Sequence, residues 1–558
     1  MSRSVYQTLL ASLLLVVLGA AAAHPAAAQP ADASNPSGED RPNIIFLFAD
    51  DWGQYASAYA SEEEPSVNDA FETPHVDRVA EEGILFENAF ISSPSCTPSR
   101  AALTTGMHFY RTGRFSNLQA PDWPDDAPDI FEDLPGFVPL LDEAGYHTGH
   151  SGKTAQKIGS VAKSYDLGDR RNSPTSAMAQ ADDPDAAMQA ILDEIQSGFR
   201  EYLADREGGQ PMFFWFGANA PHRSWVPGSG KKFWGIDPAD LEGKMPAFLP
   251  DVPVVREDFA DYLGTVRAWD EMVGVFMSEL ARIGELDDTM VVLSGDHGIP
   301  GMPRGKTNLY DFGTEVPLVI RWPDHVEPGR TVTDFTIIPD LAPTFLEAAG
   351  VQPPRAMQAR SLMPTLTAEG SGRIDPKRTY VVTGRERHVE WGRPRGLPYP
   401  SRAIRTEDYL YIRNFAPRRW PQGRPEGLDE MSTPAPPFQQ LADTTWTVYA
   451  DIDASPTKAW MLHHRNDPDV QPLFEMTFGK RPAEELYDLE EDPDQMNNVA
   501  DSSGYADVKE RLRTKLMNHL RATGDPRVVG EGGAFDYPPY SRPGLAAPTS
   551  SRSTAESR

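Results

Sequence analysis

Four short runs dominated by apolar residues frame this chain. They are Asn43 to Ala49 (NIIFLFA), Met212 to Gly217 (MFFWFG), Thr289 to Ser294 (TMVVLS) and Val316 to Trp322. None shows polar alternation, so as strands they need both faces covered. Helical patterns lie between them, near His75 to Glu82 and over Glu257 to Leu286. In the second, Phe259, Tyr262, Leu263, Val266, Trp269, Met272, Val273, Phe276 and Leu280 recur at helical spacing. Strands alternating with helices predict an α/β fold, a mostly parallel sheet sandwiched by helices. After about Arg373 the pattern changes. Thr379 to Thr383 and Ser401 to Asn414 alternate like half-exposed antiparallel strands, and a helical pattern runs from Tyr505 to Ala522. We therefore expect a catalytic domain over 41–372 and a smaller α+β domain over 373–540.

The ends of the chain read differently. Arg3, the apolar stretch Leu9 to Leu18, an alanine-rich run and Ala26-Ala27-Ala28 before Gln29 have the order of a signal peptide over 1–28. Residues 29–40 are expected to be a disordered linker and 541–558 a disordered tail. No other stretch reaches membrane-spanning length, and no cysteine near the cleavage point offers a lipid anchor. The protein is expected to be exported, periplasmic or secreted, without a membrane anchor. Its 52 Lys and Arg against 82 Asp and Glu give a net charge of −30. That excludes nucleic acid as the main partner, because phosphate binding needs basic surface. An anionic substrate would need a local basic island.

The single cysteine, Cys96, excludes an internal disulfide framework and multi-cysteine metal sites. It stands in Cys96-Thr97-Pro98-Ser99-Arg100, and C-x-P-x-R is the sequence recognised for oxidation of cysteine to formylglycine (3-oxoalanine). With this motif the chain, from Asn43 to about Asp501, resembles the type I formylglycine-dependent sulfatases of the alkaline phosphatase superfamily. The resemblance implies a large mixed, mostly parallel sheet of that superfamily and maturation by a formylglycine-generating enzyme. It also implies a nucleophile that a thiol cannot replace: one hydroxyl of the aldehyde hydrate attacks sulfur, and the other expels sulfate by collapse to the aldehyde. Arg100, one helical turn on, would orient it.

Asp50-Asp51 ends the first strand and Asp296-His297 a later one, where ligands of parallel sheets gather. Carboxylates converging there fit a hard divalent ion, Ca²⁺ first and Mg²⁺ second. Asp50, Asp51, Asp296 and modified Cys96 are the expected ligands. His297 is either a softer fifth ligand or a sulfate contact. By resemblance, Lys153 in Gly152-Lys153 and Lys306 in Gly305-Lys306 bind sulfate, and His222 in Pro221-His222 contacts the sulfate and is the candidate general acid on the leaving oxygen. Many relatives carry a further His two residues after the Lys, but here Ala155 holds that place. His222 would then act alone, or with help from His150, Gln156 or Lys157. His150, His388, Arg393 and Arg402 are candidates for substrate binding.

Two stretches, Asp296 to Pro300 with Arg304 to Tyr310 and Tyr399 to Arg405, look most like the sulfamidase (heparan N-sulfatase) branch. The iduronate sulfatase branch shares Asp-His, and bacterial relatives act on algal polysaccharides such as ulvan. The expected substrate is therefore a sulfated oligo- or polysaccharide. The competing readings are a phosphonate monoester or phosphodiester hydrolase of the same superfamily and a non-catalytic glycan-binding protein.

Overall fold

The computed structural model describes residues 41–61, 65–118, 136–155, 161–530, 533 and 535–537. The expected signal peptide, linker and tail, and Gln156 and Lys157, lie outside the described residues.

The apolar runs form the sheet they predict. Its strands are β1 (Asn43–Ala49), β2 (Ile84–Phe86), β3 (His147–Gly152), β4 (Lys163–Ser164), β5 (Met212–Gly217), β6 (Thr289–Gly295), β7 (Leu318–Arg321) and β8 (Arg330–Val332). They lie in the order β4-β3-β5-β1-β6-β7-β2-β8. All neighbours pair parallel except β7, which is antiparallel to both β6 and β2. A parallel return needs a long crossover. Here β6 and β7 are joined by a loop with one short helix, Asp311–Thr314, so the chain turns back along the sheet.

Both faces are covered. The helices used below are α1 (Cys96–Thr105), α2 (Pro184–Asp205), α3 (Pro253–Ile283), α4 (Leu341–Ala348) and α5 (Ala506–Thr523). Ile45 and Leu47 of β1 share one core with Val266, Trp269 and Val273 of α3. Ile44, Phe46 and Phe48 share the other with Leu341 and Phe345 of α4. This sandwich leaves the carboxyl ends of β1 and β6 side by side, with Ala49 in register with Gly295, so Asp50 and Asp296 emerge together.

A separate four-stranded antiparallel sheet follows: β9 (Tyr380–Arg385), β10 (Ser401–Thr406), β11 (Tyr409–Asn414) and β12 (Glu484–Asp488). The alternating stretch 401–414 is a hairpin with β10 and β11 as its arms. A third core joins this sheet and Leu512, Leu516 and Leu520 of α5 to Ala102 of α1 and to Phe109 and Tyr110.

Candidate active site

Position 96 is the first residue of α1. Ser95, before it, does not cap the helix; its hydroxyl meets Nδ1 of His388 at 2.8 Å. The Cys96 thiol lies 3.2 Å from Nε2 of His297. Where the motif is processed, Sγ marks the place of the aldehyde carbon's oxygen substituents. Arg100, one turn along and buried, faces the same cleft. Its Nε donates to Asp296 Oδ2 at 2.8 Å, one terminal nitrogen donates to the Lys153 carbonyl at 2.7 Å, and the other reaches Asp50 Oδ1 at 3.4 Å. The guanidinium also sits over the Phe48 ring at 4.9 Å.

The three carboxylates are buried together. Asp51 adopts a positive φ of 64°, and its amide donates to Asp296 Oδ1 at 2.9 Å. Lysines partly offset their repulsion. Lys153 Nζ reaches Asp50 Oδ2 at 2.5 Å, and Lys306 Nζ lies 3.1 and 3.2 Å from the two Asp51 oxygens. Burial would raise the Asp50 carboxyl, but Lys153, His222 and Arg100 hold it well below its ordinary range. Burial, with the Asp50 charge adding, raises Asp296.

His297 Nε2 lies 3.2 Å from Asp51 Oδ1 and 3.5 Å from Asp296 Oδ1. Burial alone would push this imidazole down, yet Asp296, Asp51 and Cys96 bring it to about 9. The surroundings of Asp51, Asp296 and Cys96 thus favour positive charge. Ligand atoms of Asp50, Cys96, Asp296 and His297 lie within 4.8 Å of one another, as do those of Asp50, Asp51 and His222. Buried carboxylate oxygens at that spacing suit a hard dication.

His222 stands at the rim, its side chain 34% exposed. Nδ1 contacts the Arg223 carbonyl, which fixes a proton there and turns Nε2 inward. Nε2 is 3.5 Å from Lys306 Nζ and 3.6 Å from Asp51 Oδ2. One neighbour carries no sequence motif: Asp453 Oδ2 lies 3.5 Å from Lys306 Nζ. Burial would raise its carboxyl, but Lys306, His388 and His222 hold it well below the ordinary range. Only the fold brings Asp453 to Lys306, so sequence spacing carried no signal for it.

The remaining candidates divide. His388 is buried beside Ser95 and pushed down to about 4 by burial, with Lys306 adding. His150 is buried on β3, and neither ring nitrogen has a hydrogen-bond partner among the described residues. Ala155 is buried in the apolar core next to the sheet. Arg402 is a correction. It is fully buried and spends its donors on Asp525, Glu386 and the carbonyls of Arg385 and Ser401, so none is left for substrate. Arg393 is also buried and donates to Asp451 and to the carbonyls of Leu397, Trp420 and Pro421, four bonds for its five N–H groups. Both arginines hold the second sheet and its loops together.

Known proteins resemble this chain in sequence and in fold. The sequence profile described as Sulfatase matches residues 42–351, and that of the N-sulphoglucosamine sulphohydrolase C-terminal region matches 302–418. Human N-sulphoglucosamine sulphohydrolase is 28% identical over 88% of this chain and 93% of its own length. An ulvan-active sulfatase of Formosa agariphila is 26% identical over 88% of this chain and 77% of its own. Among solved structures, BT4656 in complex with its substrate D-glucosamine-2-N,6-O-disulfate superposes with a TM-score of 0.57 at 20% identity, over 88% of this chain and all of that one. The phosphonate monoester hydrolase of Agrobacterium radiobacter gives 0.54 at 17% identity, over 88% and 97%. Both structural likenesses establish the fold.

Proposed function

The chain belongs to the sulfatase family, and from that premise we propose that it is exported and removes sulfate, O- or N-linked, from a glycosaminoglycan or ulvan-like oligosaccharide, with formylglycine made from Cys96. The coarser statement stands on its own: this is a sulfuric ester hydrolase of sulfated glycans. The observation that carries the finer reading is the position of Cys96. It opens a helix, 3.2 Å from His297, within a shell that also holds Arg100, Lys153, Lys306 and three carboxylates.

Formylglycine at this position would supply the hydrated aldehyde that attacks sulfur and later releases sulfate. Asp50, Asp51, Asp296 and residue 96, with His297 as the softer donor, would hold a divalent ion, Ca²⁺ before Mg²⁺, and it would supply positive charge to sulfate oxygen and to the nucleophile. The chain's own groups do the rest. Arg100 fixes Asp296 and the Lys153 carbonyl, so the nucleophile's neighbours are set before substrate arrives. Lys153 and Lys306 are the cations poised to take sulfate oxygens. His222, with Nδ1–H tied to a carbonyl, presents Nε2 toward the site; as the imidazolium, protonated on both nitrogens, it delivers the Nε2 proton to the leaving oxygen and keeps the one on Nδ1.

The likeness to human N-sulphoglucosamine sulphohydrolase and to ulvan-active sulfatases supports a sugar substrate. Paired assays test the reading against a phosphonate or phosphodiester hydrolase. We expect sulfate release from sulfated oligosaccharides of heparin or ulvan to exceed hydrolysis of a phosphodiester and of a phenyl phosphonate. The reverse order would replace it.

A further inference from the structure

Among the described residues, five large hydrophobic side chains are exposed, and two of them are tryptophans that touch each other. Trp391 is 54% and Trp446 57% exposed. Their ring centroids are 5.5 Å apart with the planes at 87°. Leaving two such rings in water forfeits a large apolar burial, so a paired exposure marks a contact surface.

The pair is anchored to the active site from both sides. Trp391 lies in the turn Glu390–Gly392, three residues after His388, whose ring meets Ser95 next to Cys96. Three residues of chain span at most about 10 Å. Trp446 lies in the turn Thr445–Thr447. The Thr445 hydroxyl accepts from the amide of Ala454, adjacent to the Asp453 that faces Lys306. Buried Lys458 donates to the carbonyls of Thr445, Tyr449 and Ile452 at 3.4, 3.3 and 2.9 Å, fixing the Trp446 turn to the Asp453 loop. Asp451 in that loop accepts from the amide of Val389 at 3.2 Å, tying the Trp391 turn to it. Two rings set at right angles on such a frame form a corner that His388 and the Asp453 loop tie to the site. A pyranose offers what fits it: an apolar C–H face for one ring and hydroxyls directed away to water.

We propose that Trp391 and Trp446 form a saccharide platform that binds the sugar ring next to the one carrying the scissile sulfate. The proposal rests on the reading of the site as acting on sulfated sugars. It makes the protein selective for chains over single sugars. Neither tryptophan belongs to the catalytic machinery.

The test uses Trp391→Ala, Trp446→Ala and the double variant of the full chain. Binding of heparin-derived and ulvan-derived tetrasaccharides is measured by calorimetry in a Cys96→Ala background, so that turnover does not interfere. Turnover of 4-nitrophenyl sulfate, a sulfated monosaccharide and the tetrasaccharides is measured with Cys96 intact. We expect the double variant to weaken tetrasaccharide binding and raise its KM by about tenfold or more, with turnover of the two small substrates within about twofold of wild type. Unchanged tetrasaccharide binding, equal losses on all substrates, or failure of the wild type to bind either tetrasaccharide would overturn the platform. So would a dimer in wild type that the double variant dissolves, because a second copy would then be the occupant. The two readings separate cleanly. Binding that depends on the tryptophans without any sulfate release removes the sulfatase reading and keeps the platform. Sulfate release with binding indifferent to the tryptophans does the opposite.

Discussion

At the scale of single residues the site depends on donors with fixed directions. Arg100 serves Asp296, Asp50 and the Lys153 carbonyl at once. A lysine is one point charge and cannot hold three partners in a plane. Hydrogen bonds to charged groups are worth about 1.5–3 kcal/mol, so Arg100→Lys should lower kcat by roughly ten- to a hundredfold, read by sulfate release under saturation. Arg100→Ala should also lower Tm, because it leaves Asp296 buried without its partner. The role of His222 has a sharper signature. A sugar alkoxide needs a proton on leaving and an acidic phenol does not, and a general acid is typically worth about 10²–10⁴-fold. His222→Ala should therefore harm a sulfated sugar by that factor more than 4-nitrophenyl sulfate. Equal losses would reduce His222 to a sulfate contact and turn attention to His388 or His150. The motif around Cys96 was legible because its chemistry is local in sequence. Asp453 was not, because nothing in its neighbours marks it until the fold sets it against Lys306. Arg402 was misread because a sequence does not show whether a guanidinium already has carboxylate partners.

At the scale of elements, close approach of backbone positions the cations. Gly152 has φ of 77°, and a Cβ at Gly217 would lie 1.9 Å from the Lys153 carbonyl, the one that Arg100 uses. Gly217→Ala must push β3 and β5 apart where Lys153 leaves the sheet. It should lower both Tm and kcat, whereas Gly208→Ala, whose Cβ meets nothing among the described residues within 4 Å, should change neither. A second prediction concerns the junction with α5. His108 and His519 stack edge to face at 4.9 Å. Burial pushes His108 down to about 3 and His519 to about 4 from an ordinary 6.5. Below 6.5 the unfolded chain therefore takes up protons that the folded one refuses, and stability is lost as pH falls from 6.5 toward 4. The slope of Tm against pH should flatten in His519→Gln, and an unchanged slope would discount the pair. Continuous apolar runs revealed β1, β5 and β6 almost to the residue, since burial on both faces leaves that mark. They reveal no direction, so β7 was legible as buried but not as antiparallel. The charged strand β12 (Glu-Glu-Leu-Tyr-Asp) has too short an alternation to be read alone.

At the scale of the whole molecule, the change of texture near Arg373 marks a change of sheet but not a break in packing. The third core takes Ala102 from α1 and leucines from α5, so the helix that begins with Cys96 has the second sheet at its back. His388 and Asp453 reach the site from beyond the same boundary. A chain ending at residue 372 should therefore fail to give a cooperative thermal transition, and one that folds and turns over substrate would show the second sheet to be dispensable. The net charge of −30 does not prevent an anionic substrate, because Lys153, Lys306 and Arg100 stand around position 96 and a divalent ion held by the carboxylates would leave their charge to the substrate. Everything returns to the chemistry at that position, and the mass of the tryptic peptide 79–100 reports it directly. Made with a formylglycine-generating enzyme, the protein should yield this peptide with an aldehyde in place of the thiol, and sulfate release per mole of protein should rise in proportion to the aldehyde-bearing fraction. A preparation whose peptide is wholly unmodified cysteine, yet which releases sulfate at the full rate, would contradict the assignment of Cys96 as the source of the nucleophile.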